Sequence, residues 1–242
     1  MSTTINKEEI QKFSNLAEEW WDVEGKFKPL HMFNPIRIQY ISERIKEYFR
    51  LSDKQENSLN GLKILDIGCG GGLISEPMAR LGAAVTGIDA SEKNIKVASV
   101  HSKKNNLSIN YQHKSPEQLT NYESYDVILN LEIVEHVEDV NLYLDTCQKL
   151  LKKGGLMFTA TLNRSLTSYI KAIIGAEYIL RWLPIGTHDW NKFIKPEELE
   201  KKLVDLKFNI IDIKGLEFNP FNSKWKKSNN ISVNYIICSS KD

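Results

Sequence analysis

The stretch Ile64–Gly72, reading ILDIGCGGG, constrains the fold of this chain more than any other part of it. The run into it, Leu62 to Ile67, is short and mainly apolar, with Lys63 and Asp66 its polar side chains, as expected for a buried strand of a parallel sheet. Gly68, Gly70, Gly71 and Gly72 follow at once, and glycines directly after such a strand permit unusual dihedrals and a close backbone approach. An α/β protein makes room for an adenosine-containing ligand in this way. Asp89, in the sequence GIDA, ends the next expected strand. Adjacent parallel strands then place Gly68 and Gly70 beneath a ligand while the Asp89 carboxylate accepts hydrogen bonds from both ribose hydroxyls. Asp66 is expected to organise the loop or to meet the amino-acid end of the ligand.

Strand and helix signals alternate through the rest of the chain. After the loop come a helix through Met78 and Leu81, a strand from Ala84 to Ile88, a helix from Ser91 to Asn105 and a strand around Ile109 to Gln112. Tyr125 to Leu131 and Leu156 to Thr161 read as strands flanking a helix from Asn141 to Leu151, with Lys153-Gly154-Gly155 as the turn. Pro196 to Leu206 reads as a helix, and Phe208 to Ile213 and Ile231 to Cys238 as further strands. Ahead of the loop, Glu8 to Trp21 carries a helical apolar stripe that ends in WDVEGKFKPLH. A second helix is expected to begin around Asn34 and Pro35, with an apolar stripe from Ile36 onward, and Pro35 suits its first turn, where a missing amide does no harm. The expected division is therefore an N-terminal helical cover over residues 1–60 and an α/β core over residues 61–242.

The glycine loop also discriminates between ligands. A dinucleotide fingerprint beginning at Gly68 needs a third glycine where this chain has Leu73, and no Gly-Lys pair follows to make a phosphate-binding loop. Both usual means of holding a pyrophosphate are missing, so S-adenosylmethionine, which carries no phosphate, is the better fit. Charge excludes other classes: 32 Lys and Arg against 31 Asp and Glu leave a net +1, no basis for wholesale attraction to nucleic acid. Cys69, Cys147 and Cys238 are odd in number and lack metal-ligand spacing, which argues against a disulfide framework and fits a reducing cytoplasm. Lys7, Glu8, Glu9 and Lys12 stand where a signal peptide needs apolar residues, and export is not expected.

With LDIGCGGG and GIDA in hand, the chain resembles the class I methyltransferase family. The implied fold is a Rossmann-like, mostly parallel seven-stranded sheet flanked by helices, beneath the N-terminal cover. More narrowly, WWDVEGKFKPLHMFNPIRIQYI, LEIVEHV, the segment from Thr161 to Trp190 and KFIKPEEL are similar to the ubiquinone-biosynthesis O-methyltransferases of bacteria and mitochondria. The resemblance runs from Trp20 to Leu199 and resumes at Val233. It implies cofactor contacts from Arg37, Gly68, Asp89 and Leu131. Arg37 would donate to the methionine carboxylate, where a guanidinium fork suits two oxygens. Leucine stands at 131 where relatives often carry methionine, which preserves an apolar contact.

In LEIVEHV the resemblance points to Glu132, Glu135 and His136 as the catalytic group and as ligands of a divalent cation, Mg²⁺ by the chemistry of the carboxylates. A helix cap or a surface network remains the plain alternative for these three. The implied acceptors are polyprenyl catechols and demethylubiquinol, methylated on oxygen, with His136 or a neighbouring carboxylate taking the phenolic proton. SLTSYIKAIIGAEYILRWLP, within an insertion at about 163–192, sets Ile170, Ile173, Ile174, Tyr178, Trp182 and Leu183 on one broad helical face. Such a face suits peripheral contact with the inner side of the cytoplasmic membrane or burial within the protein. A quinone-biosynthesis protein complex is a further expected partner. Two other readings stay open at this point: methylation of a different small phenolic metabolite, and a scaffold without chemistry.

Overall fold

The computed structural model of the protein describes residues 4–52, 57–169, 189–219 and 224–242. The sheet grows outward from β1 (Lys63–Ile67), the strand of the ILDIG motif, which pairs in parallel with β2 (Ala84–Asp89) on one side and β4 (Tyr125–Leu131) on the other. β3 (Asn110–His113) joins beyond β2, and β5 (Leu151–Leu162) joins beyond β4, both in parallel. The antiparallel side is made by β8 (Asn234–Lys241), β6 (Phe208–Asn219) and β7 (Lys224–Ser228), giving the order β3-β2-β1-β4-β5-β8-β6-β7. Among the described residues the sheet thus has eight strands where seven were expected. The addition is β7, whose sequence KWKKS shows no apolar alternation and is recruited through pairing with an extended β6.

Strand periodicity builds two cores. Leu65, Ile67 and Ile128 point to the face covered by α5 (Val140–Leu150) and α7 (Pro196–Asp205), where Leu144, Cys147, Leu199 and Leu203 are sealed. Ile64, Val127, Leu129 and Phe158 point the other way, onto Met78 of α3 (Ser75–Arg80) and onto Tyr40, Ile41 and Ile45 of α2 (Lys28–Phe49). Ser91 caps α4 (Glu92–Lys104) by accepting from the Asn94 amide, which fixes the chain direction just after Asp89. Cys69, Cys147 and Cys238 are all buried free thiols.

The N-terminal region departs most from expectation. The first helix, α1, is only Lys7–Ser14, and a 3₁₀ turn at Ala17–Glu19 replaces its second half. The second helix starts at Lys28 with Pro29 in its first turn, so Pro35 lies inside it rather than at its start. Pro29 has the same helix-starting chemistry as Pro35, and packing of Leu30 against the Trp20 cluster rewards the earlier start. A single turn, α6 (Leu166–Ser168), leads into residues 170–188, so the expected apolar face of that segment lies outside the described residues. Among the described residues, no helix is long and apolar enough to cross a membrane.

Candidate functional site

The sheet order reverses around β1 and β4, and at such a point the carboxyl ends of the strands open a crevice. Register makes the crevice specific: Ile67 lies beside Ile88 and Asn130, and Leu131 beside Ala160. Gly68, Asp89, Leu131 and the segment after it therefore emerge on one edge. There they line a cavity of about 1360 Å³, together with Arg37, Asp66, Glu132, Glu135 and His136. Eight of the nine residues singled out from sequence share this cavity. The exception is Gly70, which is not part of its lining.

The glycines explain that exception. A Cβ on Gly70, whose φ is +53°, would stand 2.4 Å from Trp20 Cζ2, and one on Gly71 would stand 2.4 Å from Trp20 Cβ. At Gly68, with φ +68°, the clash would be with Ile133 Cδ1 at 2.0 Å. The emptiness left by these glycines is thus filled by the protein's own side chains. The loop is pinned to the end of β2, where the Gly68 and Cys69 amides donate to the Ile88 carbonyl at 2.8 and 3.0 Å.

Asp89 is held at the rim of the cavity by three donors. The Gly70 amide donates to Oδ2 at 3.0 Å, while the Ser91 amide and Asn94 Nδ2 donate to Oδ1 at 2.7 and 3.3 Å. Burial raises its pKa, opposed by the Ser91 and Gly70 amides. Asp66 lies deeper and accepts from Ser75 Oγ at 2.5 Å; burial pushes its carboxyl up to about 7. Asp66 thus ties β1 to the first turn of α3 and also lines the cavity.

Arg37 reaches the cavity from α2, 3% exposed, with its guanidinium 4.1 Å above the Phe33 ring. Its Nη2 donates to Glu132 Oε1 at 2.6 Å, whereas its Nε is buried without a partner. Burial lowers the pKa of the guanidinium, and Glu132 and Glu135 work against that loss. The orphaned Nε is a donor without an acceptor in this structure, which suits the carboxylate of an amino-acid-bearing ligand.

The LEIVEHV segment turns rather than entering a helix. Glu132 takes φ +57°, and the His136 amide donates to the Ile133 carbonyl at 2.8 Å. This turn sends the three side chains to different neighbours. Glu132 meets Arg37, and His136 Nδ1 lies 3.0 Å from Glu9 Oε2 of α1, close but poorly aligned for a hydrogen bond. Glu135 is buried with its Oε2 unpartnered. Burial, then repulsion from Glu132, pushes the Glu135 carboxyl up to about 8. At His136, burial opposes charging, but Glu9 and then Glu135 outweigh it and raise the imidazole pKa. The Glu9 carboxyl is lowered to about 2, chiefly by His136.

Among the described residues, no group of three His, Cys, Asp or Glu side chains is arranged to hold a metal ion. Hard oxygen donors are present, but Glu132 is engaged by a guanidinium and His136 by a carboxylate, so the expected trio does not converge as a ligand set. What the sequence did not signal is Trp20, Trp21 and Asn94, which wrap the glycine loop. Trp21 Nε1 donates to the Gly71 carbonyl at 2.9 Å. The adjacent WW pair was the available cue, but ring positions depend on how the cover folds back.

Comparisons with known proteins agree with this fold. Residues 65–159 match the family described as methyltransferase domain. Among solved structures, the magnesium protoporphyrin IX methyltransferase of Synechocystis PCC 6803 with bound SAM aligns over the whole of both chains at TM-score 0.63 and 16% identity, a likeness of fold alone. The PH0226 protein of Pyrococcus horikoshii OT3 aligns at TM-score 0.62 and 15% identity, over 96% of this chain and 99% of that one. Sequence relatives are far nearer. The ubiquinone biosynthesis O-methyltransferase of Pelagibacter ubique (strain HTCC1062) is 58% identical over 96% of this chain and 97% of its own length. That of Bartonella tribocorum (strain CIP 105476 / IBS 506) is 52% identical over 97% and 96%. With near-complete coverage at this identity, on a class I methyltransferase fold, the chain belongs to the ubiquinone biosynthesis O-methyltransferase family.

Proposed function

We propose that the cavity transfers a methyl group from S-adenosylmethionine to the oxygen of polyprenyl phenols, polyprenyl catechols and demethylubiquinol, the O-methylation steps of ubiquinone formation. Asp89 takes the ribose hydroxyls, Gly68 in the cavity lining presents the loop to the amino-acid portion, Leu131 gives apolar contact, and Arg37 Nε meets the carboxylate. The bound donor supplies an already activated methyl group. The chain's task is then to align the acceptor oxygen, exclude water and receive its proton.

The observation that carries the acceptor side is Glu135. Glu135 belongs to the cavity lining, its Oε2 is buried and unpartnered, and a carboxyl raised to about 8 is a far better match for a phenol than an ordinary carboxylate. Glu135 is assigned the phenolic proton. Glu132, braced by Arg37, and His136, braced by Glu9, hold the turn that presents it. Glu132, Glu135 and His136 do not converge as a ligand set, so these side chains act without magnesium; turnover that collapses on chelation and returns with Mg²⁺ would overturn this.

Peripheral membrane contact at the cytoplasmic face is part of the same reading. It is supported by the apolar residues of Ser165 to Pro184, which suit a substrate with a long isoprenoid tail. Liposome sedimentation should weaken when charges replace Ile173 and Ile174, and unchanged association by a folded variant removes the contact from the proposal. Association with other quinone-biosynthesis proteins is the remaining proposed partner, tested by co-purification from membranes.

The central test is transfer from labelled S-adenosylmethionine to a short-tail catechol. Label should appear on oxygen, and Glu135→Ala should lower turnover far more than S-adenosylhomocysteine affinity. Wild-type turnover by that variant at saturating catechol overturns the assignment of Glu135, and absence of any transfer by the unaltered protein overturns the function.

A further inference from the structure

The segment between α1 and α2 makes more contact with the glycine loop than a passive cover needs. The Trp20 indole is 8% exposed, stacks on Phe27 with ring centroids 3.9 Å apart, and occupies the space that a Cβ on Gly70 or Gly71 would take. Its Nε1 donates to Asn94 Oδ1 at 3.0 Å. The other end of the same amide, Asn94 Nδ2, donates to Asp89 Oδ1 at 3.3 Å. Asn94 is itself buried, 2% exposed. A continuous line therefore runs from the cover, through one side-chain amide, to the rim carboxylate.

Orientation follows from the chemistry of that line. An asparagine amide has one accepting and one donating end. Once the indole N–H, which can only donate, claims Oδ1, the amide has to present Nδ2 to Asp89. Trp20 thereby fixes which way Asn94 faces, and Asn94 keeps a donor on the carboxylate. Trp21 adds a second hold: its Nε1 grips the Gly71 carbonyl, and its ring stacks on His101 at 3.4 Å. His101 Nδ1 in turn lies 2.6 Å from Glu76 Oε1 of α3, the helix that begins just beyond the loop.

We propose that Trp20 is a positioning residue for S-adenosylmethionine binding, acting through Asn94 on Asp89 and by direct packing on Gly70 and Gly71. The donor seat is then shared between core and cover. This inference rests on the proposed ribose seat at Asp89.

Calorimetric titration with S-adenosylhomocysteine, paired with steady-state kinetics on a short-tail catechol, tests it. Trp20→Phe keeps an aromatic ring but loses the N–H, and should weaken S-adenosylhomocysteine binding by about 2- to 12-fold, the range spanned by one net neutral hydrogen bond. Asn94→Ala should weaken it comparably, and adding Trp20→Phe to Asn94→Ala should have little further effect, since both break one line. Trp20→Ala should weaken it more. In Trp20→Phe the KM for S-adenosylmethionine should rise while the KM for catechol and the turnover at saturation stay within about twofold, a split that general destabilisation does not produce. Unchanged affinity in Trp20→Phe and Asn94→Ala, beside a clear loss in Asp89→Asn, overturns the positioning role alone. Unchanged affinity in Asp89→Asn overturns the ribose seat itself.

Discussion

Gly70→Ala separates backbone strain from side-chain collision, because the structure supplies a matched control. Gly70 and Gly154 both sit in the left-handed region, at φ +53° and +69°. A methyl group on Gly154 meets nothing within 4 Å, whereas on Gly70 it meets Trp20 Cζ2, Cη2 and Cε2 at 2.4, 2.5 and 3.0 Å. Gly154→Ala should therefore cost only the left-handed strain, about 1–2 kcal/mol. Gly70→Ala bears the same strain plus overpacking, about 1–3 kcal/mol more. Any change in unfolded-chain entropy is common to both and cancels. The colliding atoms are the outer ring of Trp20, so Trp20→Leu removes them. In that background the cost of Gly70→Ala should fall back to that of Gly154→Ala. Urea unfolding followed by far-UV circular dichroism, with slopes checked for constancy, reads each difference. Equal costs for the two glycines in the unaltered protein, or a Gly70→Ala cost indifferent to Trp20→Leu, would refute the claim that the loop's glycines make room for the indole.

Asp66 predicts a pH dependence. Its folded pKa of about 7 lies above the ordinary aspartate value of 3.8, so between these pH values the folded state binds more protons and stability falls as pH rises. Asp66→Asn should flatten that fall and gain on the order of a few kcal/mol above pH 7, measured by urea midpoints from pH 4 to 8; parallel curves for the two proteins would exclude it. Arg37→Met strands Glu132, its partner at 2.6 Å, beside the buried Glu135, and should destabilise by about 3–5 kcal/mol. Adding Glu132→Gln should recover much of this loss, and strictly additive losses would show that the pair is not the source.

Much of the sheet was legible because strand signals are local. Ile64, Leu65 and Ile67, and the run Val127-Ile128-Leu129, are short apolar stretches between turn residues, and they form strands within a residue or two of expectation. Strand β7 was not legible: KWKKS has no apolar period, and its pairing depends on an extension of β6 beyond Ile213. Proline chemistry pointed to a helix start near Pro35, yet Pro29 offers the same chemistry and only packing chose between them.

The site divides in the same way. The ILDIG strand, the glycines after it and Asp89 at the next strand end were determined by sequence, since each is a local consequence of residue type and spacing. Which side chains fill the glycines' empty space, that Arg37 claims Glu132, and that α1 brings Glu9 to His136 were decided by the tertiary structure alone. Those contacts join residues 50, 95 and 127 positions apart, in the pairs Trp20–Gly70, Arg37–Glu132 and Glu9–His136. No local preference encodes such a distance: it is closed only when the cover packs on the strand ends, where burial then resets the protonation of Glu135 and Asp66.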